Sequence, residues 1–145
     1  MIFDRLNEFC DGTGVNKSTG KALIGDVIDL GAGGFDIGAG EPVYLVISVE
    51  EDVVSSGGSV SFVLSGDDKA AISVDGTESA YITTPAIPTT DLKKGFQWAA
   101  ALPMIDYERY MGIVQNSTTA APSAGKINAF LTHDVQSWKA TPDGI

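Results

Sequence analysis

His133 and Asp134, followed by Ser137, supply the three residue types of a hydrolytic triad. Their placement works against that chemistry. The segment KINAFLTHD (126–134) alternates apolar and polar residues, which reads as a strand, and neighbours on a strand point to opposite faces. No G-x-S-x-G elbow occurs to present a nucleophile. His133 therefore reads as a strand-end histidine. Cys10 is the only cysteine, so no intrachain disulfide forms, and the only histidine is far from it in sequence. A thiol without a positioned base is a buried packing residue rather than a nucleophile.

The stretch GAGGFDIGAGEP (31–42) has the glycine density of a phosphate-binding loop. A dinucleotide fingerprint would need a third glycine where Asp36 stands, and a P-loop would need a Lys-Ser or Lys-Thr that is absent. The stretch runs through Glu41-Pro42 into a strand pattern, so no helix N-terminus is there to receive an anion. It reads as a connection between strands. Glu50-Glu51-Asp52 and Asp67-Asp68 offer hard oxygen ligands, but their spacing is not that of an EF-hand, and they read as acidic turn tips. One histidine and one cysteine do not make a zinc site. Asn16-Lys17-Ser18 and Asn116-Ser117-Thr118 match the glycosylation pattern and read as chance matches. Catalytic residues, cofactor and metal are thus each expected to be none.

The elements that must carry these residues are strands. Val43, Leu45, Ile47 and Val49 fall on one face of VYLVISVE, and Val60, Phe62 and Leu64 on one face of SVSFVLS. Met111 and Ile113 do the same in RYMGIVQ, as do Ile127, Ala129 and Leu131 in KINAFLTHD. Weaker strand patterns cover DVIDL (26–30), AAISV (70–74), AYITT (80–84) and FQWAAAL (96–102), where Trp98 shares a face with Phe96 and Leu102. Between them lie turn residues, with Asp75-Gly76 predicted as a tight hairpin joining two short strands. No segment shows a helical period with caps. About eight short strands at regular spacing predict an all-β, antiparallel sandwich, and 145 residues suit a single domain over 1–145. The first 25 residues or so read as an irregular arm, with 11–21 as a polar loop, and SWKATPDGI as a short irregular tail.

Charge narrows the partners. The chain carries 19 acidic against 9 basic residues, a net charge of −10, which repels nucleic-acid phosphates and anionic membranes. No apolar run approaches the roughly 20 residues that span a bilayer, and MIFDRLNEF lacks the basic-then-apolar pattern of a secretory leader. The chain is thus expected to be made in a cytoplasm, without nucleic-acid or membrane partners. Ile2, Phe3, Asp4 and Arg5 in the arm, and Trp138 in the tail, are the residues placed to contact another protein or a second copy.

The segments MIFD, VIDLG (27–31), DIGAGEPVYLVISVEE (36–51), TTDLKKGFQ (89–97), LPMIDYERYMGIVQN (102–116) and SAGKINAFLTHDVQ (123–136) follow one another in an order that resembles the Bbp16-like family of small capsid cement, or decoration, proteins of tailed phages. The similarity runs over nearly the whole chain and is weakest over 66–88. The resemblance implies a jelly-roll sandwich on the exterior of the virion that binds the major capsid protein, locks neighbouring capsomers together and associates with itself as a homodimer or other homo-oligomer. It carries no catalytic residues over. The alternative reading is a carbohydrate-binding or adhesin-like sandwich, which needs an exposed aromatic platform from Trp138, Tyr107 and Tyr110.

Overall fold

The computed structural model describes residues 8–31, 42–103 and 105–132. They form nine strands: β1 (Glu8–Gly14), β2 (Gly20–Asp29), β3 (Tyr44–Val54), β4 (Ser59–Asp67), β5 (Ser79–Thr83), the two-residue β6 (Ile87–Pro88), β7 (Gln97–Ala101), β8 (Tyr110–Thr118) and β9 (Ala124–Thr132). One 3-10 turn at Thr89–Asp91 is the only helical element among the described residues. The first sheet has the order β1-β9-β3-β7 and the second β2-β8-β4-β5, with β6 beside β4. Every pairing is antiparallel.

Setting aside β6, the pairs β1–β9, β2–β8, β3–β7 and β4–β5 are those of one long hairpin, with β4–β5 at its tip. Pairing β3 with β9 and β4 with β8 rolls that hairpin into two facing sheets. This winding is the jelly roll.

The alternating residues point into the space between the sheets. Leu45, Ile47 and Val49 of β3 and Ile127, Ala129 and Leu131 of β9 meet Val60, Phe62 and Leu64 of β4 and Met111 and Ile113 of β8 in one buried cluster. Trp98 of β7 packs partly buried against it, on the same face as Phe96. Removing this much apolar surface from water is the main term favouring the fold. The outer faces are not wholly wet either. Val46 and Phe130 are paired neighbours on the outside of the first sheet and both are buried. On the second sheet, Ile72 lies over Gly112, whose Cβ position falls 2.9 Å from Ile72 Cδ1 and 3.0 Å from Leu23 Cδ1. Ile72 therefore anchors the loop 68–78 to the sheet's outer face.

The structure corrects several expectations. Residues 8–14 and 20–25 are strand rather than part of an irregular arm, the strand expected at DVIDL being the second half of β2, and only 15–19 remain of the polar loop expected over 11–21. β1 was hidden because its ladder is broken: bulges lie between Glu8 and Cys10 and between Cys10 and Thr13, so Phe9 and the adjacent Cys10 are both buried. β2 passes close to β1 at Gly25. There φ is +71°, and a Cβ would fall 2.1 Å from the Phe9 carbonyl oxygen, so only glycine fits. AAISV (70–74) is not a strand; the loop takes the chain over the sheet instead. Asp75-Gly76 accordingly joins no hairpin. Asp75 Oδ1 accepts bonds from the Thr77 N–H (3.0 Å) and hydroxyl (2.6 Å), a local turn inside that loop.

Candidate functional surfaces

The sequence-predicted contact residues Ile2, Phe3, Asp4, Arg5 and Trp138 lie outside the described residues, as do His133, Asp134, Ser137 and residues 32–41 of the glycine stretch. Chemistry among the described residues is therefore built from other groups.

Cys10 is buried, and that burial pushes its thiol up to about 12, with the negative charge of Asp26 adding to the effect. A thiol held protonated is a poor nucleophile.

Asp67, Asp68 and Glu108 bring carboxylate oxygens within 4.8 Å of one another where β4 ends and β8 approaches. Their partners are within the protein. Asp67 Oδ2 accepts the Ser73 N–H at 2.9 Å, and this bond, followed by one with Asp68, holds the Asp67 carboxyl down at about 2. Glu108 accepts the hydroxyl of Ser79, and its own N–H donates to the Tyr81 hydroxyl at 2.9 Å. Tyr81 in turn meets Tyr107 edge to face, with ring centroids 4.7 Å apart. Asp67 thus ties the middle of the loop 68–78 back to the end of β4, and Glu108 ties the start of β5, where the loop ends, to the β8 approach: together they form a structural latch. Glu50-Glu51-Asp52, expected at a turn tip, lie instead within β3, where Asp52 Oδ1 accepts the Lys94 N–H at 2.7 Å and Glu51 pairs across the ladder with Lys126 of β9 at 3.3 Å.

Tyr107 is buried and its hydroxyl donates to the Pro103 carbonyl, so it offers no face to a sugar. Tyr110 lies beneath the Arg109 guanidinium, 5.1 Å from ring centroid to Cζ. Of the three aromatic residues a sugar platform would use, Trp138 lies outside the described residues and Tyr107 is occupied in packing.

On the outer face of the first sheet, Val46, Ser48, Lys94, Gln97, Asn128 and Phe130 border a shallow groove of about 330 Å3. Its walls mix apolar and polar groups and carry no convergent acid, base and nucleophile. One hint of it is legible in the residue pattern: the outward positions of VYLVISVE and KINAFLTHD include Val46 and Phe130, which a fully solvated face would not favour.

The fold also unites sequence segments that are far apart. Asp29, from VIDLG, accepts a two-pronged bond from Arg109, from LPMIDYERYMGIVQN, with Nε–Oδ1 at 2.9 Å and Nη2–Oδ2 at 3.1 Å. The Arg109 guanidinium, with the Gly31 N–H, lowers the Asp29 carboxyl below its ordinary value. EPVYLVISVEE and SAGKINAFLTHDVQ pair as β3 and β9, with Glu51 and Lys126 opposite each other. These segments are neighbours in the sheets and join the β strands of the winding.

A two-sheet antiparallel sandwich wound as a jelly roll is the class of protein these features define. Residues 9–131 match the family model of Bbp16, a span that reaches from β1 into β9, and the chain belongs to the Bbp16 family. No curated protein matches the chain.

Proposed function

We propose that this chain is a structural cement, or decoration, protein of a tailed-phage capsid, which binds the outside of the assembled head, locks neighbouring major capsid proteins together and associates with itself. It is made in the host cytoplasm and resides on the virion exterior. The observation that supports this reading best is the family match over residues 9–131. The physical properties agree with it. A rigid two-layer body presents loops and sheet edges to a lattice without needing a reaction of its own. Anything that binds only the assembled shell stabilises it by mass action, and many copies on one shell multiply a modest local affinity. A net charge of −10 keeps decorated particles dispersed.

The test is binding of the purified chain to expanded heads and to free capsid subunits. Tight binding to heads, with a higher temperature of head disruption, is the expected result. Equal affinity for unassembled subunits, or no change in head stability, overturns the reading.

A further inference from the structure

Among the described residues the sheet edges are β1 and β7 in the first sheet and β2, β5 and the two-residue, proline-containing β6 in the second. An exposed edge invites pairing with another chain, and proteins usually blunt it with bulges, charges or proline. β1 joins its sheet with two register shifts and carries Glu8 and Asp11. β2 has a shift between Ile24 and Ile28 and carries Lys21, Asp26 and Asp29. β5 joins β4 with a shift between Leu64 and Ser65. β7, with the sequence QWAAA, alone pairs in unbroken register and contains no charge, glycine or proline.

The ladder shows which groups that edge presents. Leu102 N–H donates to Val43 at 2.8 Å and Phe96 carbonyl accepts from Val49 at 2.9 Å, so the even-numbered residues of this segment turn their backbone groups to β3. Gln97, Ala99 and Ala101 therefore direct theirs away from the sheet, where no described strand pairs with them. Ala99 and Ala101 are exposed, and small side chains leave the approach open.

We infer that β7 is a self-pairing edge through which a second copy of this chain joins antiparallel about a two-fold axis at Ala99, making one continuous sheet across two protomers. Gln97 then lies opposite the partner's Ala101 and Ala99 opposite the partner's Ala99, so every outward N–H and C=O of this stretch finds a partner. A two-fold interface must be complementary to itself, and an antiparallel strand pair meets that requirement. Local charge complementarity points to a second copy as the occupant against the overall repulsion of two chains at −10: the edge itself is neutral, and the antiparallel arrangement brings the exposed Lys93-Lys94 end of one strand to the exposed Ile105-Asp106 end of the other. Ile105 is one of the few large apolar side chains left exposed among the described residues. The inference rests on the self-association part of the proposed function and not on the capsid.

The experiment is sedimentation of the full chain and three variants at micromolar concentration, with head binding measured separately. The wild type is expected to be a dimer. Ala99→Pro removes an N–H that the β3 ladder does not use, so the fold survives while self-pairing weakens by roughly a hundredfold or more. Ala99→Glu places two carboxylates across the axis and gives the same monomer by a different route. Ala80→Glu, on the β5 edge, leaves the dimer intact. A wild type that stays monomeric overturns the inference. So does a dimer that survives both Ala99 variants, or one that only Ala80→Glu disrupts. Loss of head binding by a chain that still dimerises counts against the capsid reading alone.

Discussion

The side-chain amide of Gln115 grips the backbone of Asn16 from both sides: its Oε1 accepts the Asn16 N–H at 2.9 Å and its Nε2 donates to the Asn16 carbonyl at 3.0 Å. Nε2 also donates to Ser117 Oγ at 2.8 Å, and Gln115 is fully buried on β8. One polar residue in the sandwich thus fixes the turn that carries the chain from β1 in one sheet to β2 in the other. Gln115→Leu keeps the volume but leaves the Asn16 groups unpaired, and we expect it to cost about 2–3 kcal/mol in a denaturant titration. Gln115→Glu is expected to destabilise as well, because a carboxylate accepts from Asn16 N–H but cannot donate to its carbonyl.

Gly25 tests the crossing of β2 over β1. Gly25→Ala adds a Cβ at a left-handed φ and drives it into the Phe9 carbonyl, a backbone atom that cannot step aside. A loss of about 3 kcal/mol or more, read from the unfolding midpoint, is expected. A near-neutral variant would show that β1 does not lie against β2 here.

Burial of Cys10 makes an alkaline prediction. Its folded-state pKa is raised from 9.0 to about 12, so the folded protein holds the proton more tightly than the unfolded chain. That contribution is fully present below pH 9 and is lost as pH rises from 9 towards 12, at up to about 1.4 kcal/mol per pH unit. Burial raises Tyr81 and Tyr107 too, and they act in the same direction. Cys10→Ala should flatten the lower part of this slope. In the folded wild type, the thiol should react with a disulfide reagent at neutral pH only as fast as the protein opens.

Asp67 makes the opposite, acidic prediction. Its pKa is depressed from 3.8 to about 2 by the Ser73 N–H, so its contribution is complete above pH 3.8 and lost as pH falls towards 2. Asp67→Asn should shrink the acid destabilisation in that window and loosen the loop 68–78, seen as faster proteolysis within it at neutral pH. A loop equally resistant in wild type and variant would mean that the latch does not hold it.

Packing of the same loop gives a separate readout. Ile72→Ala removes the side chain that rests over Gly112 beside Leu23 on the sheet's outer face, and about 2 kcal/mol of stability should go with it. Because Ile72 lies outside the inter-sheet core, hydrogen exchange should rise first in 68–78 and in neighbouring β2, before β3 and β9.

The amino-acid sequence by itself determined the all-β class and the inward faces of β3, β4, β8 and β9. Alternation in the runs around Leu45, Phe62, Ile113 and Ile127 has a period of two, and one face of each strand must leave water whatever its partner is. It also determined where a motif fails, since a missing lysine or nucleophile elbow is visible without coordinates. Tertiary structure alone decided the rest, because it depends on residues distant in the chain. β1 is a strand only because β9 supplies its ladder around two bulges, whereas AAISV has strand composition but no strand to pair with, so its Ile72 packs downwards from a loop. Tyr107, Asp29 and Arg109 look equally exposed on paper, yet the first is buried against the core with its hydroxyl bonded to Pro103, and the other two join separate segments. The edge position of Ala99 is likewise a property of the winding: alanines in a central strand would be satisfied on both sides, and among the described strands the sheet order pairs these on one side only.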